Sequence, residues 1–576
     1  MVLPILNPIQ TSQDAISEFR GYNHNLSIQE NEFYDMQNMT STFYPVLSPR
    51  SKRGIIRTMI KPNGFVAKDE LAWVDGTTFY YNGMNVGQLE DSQKQFVSMG
   101  AYLLILPDKK YYNVKTGELK DMGALFETVS TVTFTLCSLD GTDYSAYIAQ
   151  NSEPTDPDDK QLWLDTSMNP PSLKQFSVYS GSWASVATTY IKIASTGIGA
   201  AFAEYDGVFL SGITAVPALN NTSTIIWKKA ADYIVVIGIL SQTVTQSTAV
   251  TVERKVPDMD FMTESQNRVW GCSSLNHEVY ACKLGDPTNW NCFMGIASDS
   301  YALTIGSDGE FTGAFTHLGS VLFFKEDVVH KLYGSKPANY ELKNINIRGV
   351  EKGSEKSLCL VNETLYYKTR TGIVAYDGNL PVTISEPLGM ERYSAAVGGA
   401  IGSKYYISMK DSTNTWHLFS FDESKGLWHR EDNTHVYAFA KHGAELFYVD
   451  ASDYTIQSVN GTTSLYNAVG EVAHLETSLP WSCESTTIGA RSPDDKYVSK
   501  IQIRMSIATG STMNIYLQYD SSGAWEEAAS LTASALNHFT VPIITPRCDH
   551  FKIKFTGTGD AKIFMLSKVM ERGSEI

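Results

Sequence analysis

The sequence repeats one short pattern at intervals of about forty residues. The pattern is a run of aromatic and β-branched residues bounded by Gly, Asn or Asp, which is typical of a short β-strand. Its clearest copies are VLFFK at 321–325, TLYYKT at 364–369, KYYISMK at 404–410 and ELFYVD at 445–450. Equivalent positions in successive copies are 44, 40 and 41 residues apart, and a second strand follows the later copies after a short turn. This period, with several strands in each unit, is typical of the blades of a β-propeller.

Three earlier segments carry the same pair of strands. They are LAWVDGTTFYYNG at 71–83, YLLILPDKKYYNVKTGEL at 102–119, and NRVWGCSS followed by HEVYACKL within 267–284. One small sheet cannot bury both of its faces alone, so each blade requires neighbours around a ring. We therefore predict an all-β chain with a β-propeller of about seven blades, two before a gap in the period and five after it.

The gap and the C-terminus have different patterns. Residues 126–255 contain an acidic, Pro-rich loop at 151–171 and further strands, which indicates a β domain inserted between blades. KIQIRMSI at 500–507, NIYLQYD at 514–520 and FKIKF at 551–555 alternate apolar and polar residues, as in antiparallel strands with one wet face. The predicted organisation is an N-terminal arm and closing segment at 1–50, first propeller blades at 51–125, an inserted β domain at 126–255, remaining blades at 256–470 and a C-terminal β-sandwich at 471–576.

Helical patterns are almost absent, and only NEFYDMQNM at 31–39 is a candidate for one or two helical turns. The most apolar stretch, YIVVIGIL at 233–240, is too short to span a membrane as a helix, and the N-terminus lacks the features of a signal peptide. The seven cysteines are scattered and odd in number, unlike a secreted disulfide scaffold. We expect a soluble protein that folds in a reducing cytoplasm and does not insert into a membrane.

Negative charge limits the classes of partner. The 576 residues carry a formal net charge of −16, and no basic run offsets it. Such a surface repels phosphate backbones, so tight nucleic-acid binding is not expected. A surface past which nucleic acid moves without adhering remains compatible with this charge.

Three cysteines, Cys272, Cys282 and Cys292, are evenly spaced by ten residues. Zinc sites require closely spaced Cys pairs with a second pair at a set distance, and this spacing does not match. Two of the three are expected on strands. We interpret them as buried reduced thiols, and we predict no metal and no cofactor for the chain.

Acidic residues form two clusters that calcium would accept as oxygen ligands. The clusters are Asp156, Asp158, Asp159 and Asp165, and Asp299, Asp308 and Glu310. Neither has the spacing of an EF-hand loop. Solvated turns are therefore expected, while calcium binding is left open.

Some β-propellers are glycosidases, and glycosidases use a pair of carboxylates for catalysis. The adjacent pairs Glu326–Asp327 and Glu431–Asp432 are expected to point to opposite faces of a strand, so that neither pair can flank one glycosidic bond. Carboxylates distant in sequence could still converge. The metalloprotease, nucleophile-elbow and nucleotide-binding motifs are missing from the sequence, and we predict that the protein is not an enzyme and has no catalytic residues.

The N-terminal run FRGYNHNLSIQENEFYDMQNMTSTFYPVLSPRSKRG at 19–54 resembles the start of tailed-phage virion proteins. Later segments resemble tail proteins of phages and prophages of Gram-positive gut bacteria. These segments run from NRVWGC through CKLGDPTNWNCF, GSDGEFTGAF, FFKEDVVHKLYGSKP and YYISMKD, and they include the ending RCDHFKIKFTGTGDAKIFMLSKVMERGSEI. The resemblance covers about 1–125 and 256–576.

By analogy, the chain resembles the β-propeller tail nozzle or hub proteins of short-tailed phages. The resemblance implies a structural virion protein located in the tail and made in the cytoplasm of the infected bacterium. It also implies a homo-oligomeric, hexameric ring below the head–tail adaptor and portal complex, which lines the DNA exit channel and contacts tail fibres or tail-tip proteins.

The competing hypothesis is a tail-tip or receptor-binding component that binds host surface glycan. LKQFSVYSGSWASV at 173–186 resembles short repeats of phage fibres. An exposed Trp163, Trp183, Trp290 or Trp525 could stack on a sugar ring, although tryptophans more often belong to a core. No partner-contacting or glycan-contacting residue is assigned from the sequence.

Overall fold

The computed structural model describes residues 10–144, 146–463, 473–489, 496–542 and 547–572. Regular structure in these residues is almost entirely β-strand, which confirms the all-β prediction. The exceptions are single 3-10 turns at Pro217–Leu219, Pro337–Asn339, Glu355–Ser357 and Glu386–Leu388. Within the described ranges, none of these helical turns is long or apolar enough to cross a membrane.

Seven antiparallel sheets have the meander order of propeller blades, and they confirm the β-propeller prediction. Blades 1 and 2 are Pro62–Lys68, Glu70–Asp75, Thr78–Tyr81 and Met84–Gln88, and Gln95–Met99, Tyr102–Leu106, Lys110–Asn113 and Glu118–Asp121. Blades 3 and 4 are Phe261–Ser265, Arg268–Ser273, Glu278–Ala281 and Tyr301–Thr304, and Gly313–His317, Ser320–Phe324, Val329–Tyr333 and Glu341–Ile345. Blades 5 and 6 are Cys359–Val361, Thr364–Thr369, Gly372–Tyr376 and Val382–Thr383, and Ser394–Ile401, Lys404–Lys410, Trp416–Asp422 and Leu427–Asp432. Blade 7 is Val436–His442, Glu445–Asp450, Thr455–Ser458 and Gly54–Thr58, with His474–Leu475 on its edge.

The repeated aromatic run is the second strand of each blade in which it occurs. In Thr364–Thr369 every residue after the first is buried, and Glu445–Asp450 is buried up to its last residue. A strand that is covered on both faces reads as a continuous apolar run rather than an alternating one. This burial explains why the period of about forty residues is visible in the sequence.

The chain divides into two compact units. Unit 1 comprises residues 1–94, 324–329 and 345–576, and unit 2 comprises residues 95–323 and 330–344. In unit 1, blades 5, 6, 7 and 1 pack in that order, and in unit 2 blades 2, 3 and 4 do so. The division into domains drawn from the sequence stays a prediction.

Blade 7 is completed by a strand from the N-terminal part of the chain. Gly54–Thr58 pairs antiparallel with Thr455–Ser458, the third strand of this blade. A Cβ at Gly54 would lie 2.1 Å from the carbonyl oxygen of Thr462, so the close approach requires glycine. Strand pairing across 400 residues thus ties the two ends of the propeller segment together.

The inserted segment contains three sheets in unit 2. Their strands are Ala124–Glu127, Thr251–Arg254, Gly207–Ser211 and Thr222–Ile225; Lys228–Ala230, Tyr233–Ile237, Tyr190–Ala194, Val132–Cys137 and Val244–Gln246; and Tyr147–Gln150, Leu162–Asp165, Ser172–Ser177 and Ser182–Ser185. Ala124–Glu127 pairs with Thr251–Arg254, so the chain leaves and re-enters the insertion side by side. Leu162–Asp165 is a strand inside the stretch expected to be a loop at 151–171.

A seven-stranded sheet forms the C-terminal part of unit 1. Its strands are Gln10–Ile16, Phe33–Gln37, Pro480–Ser485, Lys496–Tyr519, Glu526–Pro542, Phe551–Thr558 and Ala561–Arg572. The first half of Lys496–Tyr519 pairs with Ala561–Arg572 and the second half with Phe551–Thr558. Buried side chains from both halves, such as Ile503 and Ile515, belong to one core cluster. The sheet therefore curls so that its two halves enclose a common core, as in a β-sandwich. After Phe33–Gln37 in the sequence, Met39–Thr40 pairs with Ser48–Pro49 in a separate two-stranded sheet.

The predicted helical turn at 31–39 is wrong. Residues Phe33–Gln37 are a strand that pairs with Pro480–Ser485, and a register shift between Phe33 and Asp35 interrupts the ladder. Phe33 and Met36 are buried because of this shift, and their spacing of three imitates a helical pattern. Tertiary pairing outweighs the weak local preference.

Candidate functional site

Two arginines of the N-terminal segment form a buried ion-pair cluster with residues more than 370 positions away. Arg53 Nη2 lies 2.7 Å from Glu431 Oε2, and Arg53 Nη1 lies 2.7 Å from Asp432 Oδ2. Arg50 donates to both carboxylate oxygens of Glu476, at 2.7 and 2.9 Å. Burial alone would lower the pKa of Arg53, but Asp432 and Glu431 raise it above its usual value. We call these five residues the arginine clasp. Because Arg50, Arg53 and Glu431 are buried, the loss of one of them would leave a buried charge with fewer partners.

The expectation that Glu431 and Asp432 point to opposite faces of a strand is wrong. Leu418 pairs with Asp432 and Phe419 pairs with Arg430, so Glu431 is an extra residue in its strand. Such a β-bulge turns the side chains of neighbouring residues toward the same side. Both carboxylates consequently reach the guanidinium of Arg53. Glu431 and Asp432 therefore have a structural role as the ion-pair partners of Arg53. The other adjacent pair, Glu326 and Asp327, lies in a loop rather than on a strand.

The three evenly spaced cysteines are buried, and two of them belong to different apolar clusters. Cys272 lies in a strand and belongs to a cluster with Phe323, whereas Cys282 belongs to a cluster with Leu104. Only Cys272 is on a strand, because Glu278–Ala281 ends one residue before Cys282. Burial raises the pKa of Cys282 to about 12 and that of Cys292 to about 11. Within the described residues, no group of three His, Cys, Asp or Glu side chains is arranged to hold a metal ion.

The acidic clusters separate into buried and exposed carboxylates. Asp165 is buried and pairs with Lys174 at 2.8 Å, and hydrogen bonds from Lys174 and Ser167 lower its pKa to about 2. Asp299 is buried and its Oδ2 accepts hydrogen bonds from three successive backbone N–H groups, at Met294, Gly295 and Ile296. The exposed members are Asp156, Asp158, Asp159, Asp308 and Glu310. The buried members thus have structural partners, and calcium binding gains no support from them.

The four tryptophans considered for sugar stacking differ in exposure. Trp163 and Trp290 are buried, and their indole N–H groups donate to backbone carbonyls at 3.0 and 2.9 Å. Trp183 is half-buried against Trp163, with ring centroids 5.4 Å apart. Trp525 is half-buried beside Lys554, whose Nζ lies 5.4 Å from the ring centroid. The faces of Trp163 and Trp290 are therefore not available to a ligand.

Unit 1 contains a groove that no sequence motif indicates. Two cavities of about 680 and 780 Å³ adjoin, and both are lined by Glu391, Tyr393 and Asp411. We call them together the Tyr393 groove. The first cavity continues between blades 5 and 6, past Lys368. The second continues over the N-terminal segment, past Tyr34. Each volume is within the usual range for small-molecule sites.

Fixed side chains form the walls of the Tyr393 groove. His417 Nε2 lies 2.8 Å from Asp411 Oδ2, and Asp411 Oδ1 accepts from the backbone N–H groups of Thr413 and Thr415. Burial would raise the pKa of Asp411, but these hydrogen bonds lower it to about 2. Burial raises the pKa of Tyr393 to about 12, so its hydroxyl stays protonated. The groove thus presents an ionised carboxylate and a phenol that are held in place before any ligand binds.

Comparisons with known proteins give a likeness of fold only. Neither a protein-family model nor a curated protein matches the chain. Among solved structures, Raptor of Chaetomium thermophilum is 10% identical with a TM-score of 0.29; the match covers 71% of this chain and 29% of that chain. An exo-β-1,3-galactanase from Phanerochaete chrysosporium is 9% identical with a TM-score of 0.22, covering 53% and 94%. BamB from Moraxella catarrhalis is 10% identical with a TM-score of 0.21, covering 58% and 97%. The expectation that the chain is not an enzyme stays a prediction.

Proposed function

We propose that this protein is a structural component of a tailed-bacteriophage virion that forms the tail nozzle or hub ring around the DNA exit channel. Its position is below the head–tail adaptor and portal complex, and it binds tail fibres or tail-tip proteins at its periphery. The protein acts as a homo-oligomer, with a hexameric ring as the expected form. It catalyses no reaction in this role.

The observation that carries the proposal is the way the N-terminal segment is built into unit 1. The segment that resembles virion proteins, 19–54, supplies Phe33–Gln37 to the C-terminal sheet and leads directly into Gly54–Thr58 of blade 7. Between these strands it carries Arg50 and Arg53 of the arginine clasp. Detaching this segment from unit 1 requires breaking two antiparallel strand pairings and the ion pairs of Arg50 and Arg53. Such an arrangement suits a part through which packaged DNA is expelled.

The charge of the chain supports the same role. The net charge of −16 disfavours adhesion of a phosphate backbone, because few counter-ions would be released on contact. A channel wall of this character lets DNA slide without retaining it. A positive potential along the channel would contradict this part of the proposal.

The proposal is tested by immunogold electron microscopy of phage particles from the source culture with antibody to this protein. The same antibody adsorbed with the purified protein is the control for non-specific label. Label at the end of a short tail, next to the head, is expected. Label only on a distal fibre or baseplate would favour the receptor-binding alternative, and unlabelled particles would overturn the virion assignment.

A further inference from the structure

The Tyr393 groove is walled mainly by charges that are already paired. Its lining contains four acidic and four basic side chains, namely Asp35, Glu351, Glu391 and Asp411, and Lys368, Arg370, Arg392 and Arg430. Lys368 Nζ lies 3.1 Å from Glu351, and Arg430 Nη1 lies 3.0 Å from Asp35. Since the signs balance, the groove has no excess of charge to attract an ionic ligand. It offers hydrogen-bond donors and acceptors instead.

Aromatic rings form the floor at the end of the groove near the N-terminal segment. The rings of Tyr22 and His24 are stacked at 5.8 Å, and those of His24 and Tyr34 at 4.2 Å. Tyr393 meets the rings of His417 and Phe419 edge-on, at 5.9 and 5.5 Å. These contacts fix the orientation of each ring, so that little side-chain entropy remains to be lost on binding.

Two exposed apolar side chains form a rim beside these rings, whose tyrosine hydroxyl and histidine nitrogen atoms supply the polar groups. Leu26 and Met390 both line the cavity, and each is 94% exposed. Their loops are hydrogen-bonded to each other, because His24 N–H donates to Pro387 O at 2.8 Å and Asn25 Nδ2 donates to Glu386 O at 3.0 Å. The rim is therefore held in place, and two large apolar side chains remain in water beside hydrogen-bonding groups.

We infer that the Tyr393 groove binds an uncharged oligosaccharide, with Leu26 and Met390 against its apolar C–H or N-acetyl faces and Glu391 and Arg392 bound to its hydroxyl groups. A saccharide combines hydroxyl groups with apolar patches, which is the combination that the floor and rim offer. Two adjoining cavities provide space for several linked sugar rings. This activity is independent of the proposed structural role, since a nozzle subunit can hold a glycan at its surface.

The experiment uses the purified protein, residues 1–576, on a glycan array. The array carries neutral oligosaccharides, with hexose and N-acetylhexosamine members, and separate sialylated and phosphate-bearing glycans. Isothermal titration with the tightest neutral oligosaccharide then compares the wild type with Met390→Ala and Glu391→Gln. Leu380→Ala is the control for Met390→Ala, because Leu380 is likewise a large apolar side chain exposed on unit 1, 69% exposed, but does not line the groove. Thermal unfolding verifies that all variants are folded.

We expect neutral glycans to bind, with roughly tenfold weaker affinity for Met390→Ala and for Glu391→Gln and no change for Leu380→Ala. An array without neutral binders, or with only anionic ones, would overturn the inference. Equal affinity of all variants would place the glycan elsewhere and would overturn it as well. None of these results depends on where the protein lies in a phage particle.

Discussion

Arg53 Nη2 lies 2.7 Å from Glu431 Oε2, and both side chains are buried. This pair connects the start of the propeller segment to the last strand of blade 6. The desolvation of both charges is compensated only while each has its partner. The attachment of the N-terminal segment to the blades of unit 1 therefore depends on ion pairs as well as on strand pairing.

Replacing Arg53 by methionine is expected to destabilise unit 1 by about 3–5 kcal/mol, because buried Glu431 would lose its partner at 2.7 Å and keep only Arg50, at 3.8 Å. The change is measured as a lower midpoint of thermal or urea unfolding. Arg20→Met is the matched control, since Arg20 pairs with Glu18 at the surface, at 3.6 Å, where an ion pair contributes about 0–1 kcal/mol. Similar midpoints for the two variants would show that the arginine clasp is not important for stability.

Acid is expected to weaken unit 1 through Asp432. Burial would raise the pKa of Asp432, but Arg53 and Arg50 lower it to about 2, from a usual value of 3.8. A carboxyl whose pKa is depressed by folding stabilises the fold above its unfolded pKa, and this contribution is lost as the pH falls from about 4 to about 2. Its size is on the order of 2 kcal/mol.

The measurement is the unfolding midpoint between pH 5 and pH 2 for the wild type and for Asp432→Asn. The variant should be less stable at pH 5 and should lose less stability on acidification. If both proteins lose stability equally over this range, the low pKa of Asp432 is not a source of the acid dependence.

The close approach of the N-terminal segment to Trp428 explains why position 21 is glycine. A Cβ at this position would lie 2.0 Å from the carbonyl oxygen of Trp428, which accepts a hydrogen bond from Tyr22 N–H at 2.5 Å. Gly21→Ala should therefore push the segment away from blade 6 and cost about 1–3 kcal/mol. Limited proteolysis followed by mass spectrometry should show faster cleavage within residues 10–40.

Gly306→Ala is the control for this substitution, because a Cβ there meets no atom within 4 Å. It should leave the cleavage pattern unchanged. An unchanged pattern for Gly21→Ala as well would mean that the segment adapts to a side chain at this position.

Much of the propeller could be predicted from the sequence because burial of each second strand leaves a continuous aromatic run, as in Thr364–Thr369. The pairing of Phe33–Gln37 with Pro480–Ser485 could not, since it depends on residues more than 440 positions away. The bulge at Glu431 was equally hidden, because a bulge is defined by the partner strand.

The Tyr393 groove also has no sequence motif. Its lining combines residues of three distant segments, around Tyr34, Tyr393 and Arg430, and no spacing within one segment relates them. The sequence offered four tryptophans as candidates for stacking on a sugar ring, but Trp163 and Trp290 are buried in the structure. The presence of tryptophan in the sequence suggests stacking of an aromatic ring on a sugar, but only the fold determines which aromatic rings border a cavity.

The evenly spaced cysteines give the last prediction. Because burial raises the pKa of Cys282 and Cys292 to about 12 and 11, their thiolates are scarce at pH 8 and the sulfur atoms are shielded from reagent. Iodoacetamide should leave both unmodified in the native protein and alkylate them in urea, as peptide mass spectrometry would show. Added EDTA should not change the unfolding midpoint or the alkylation. Rapid native alkylation at Cys282, or exposure of these thiols by EDTA alone, would instead indicate a reactive or metal-bound site in blade 3.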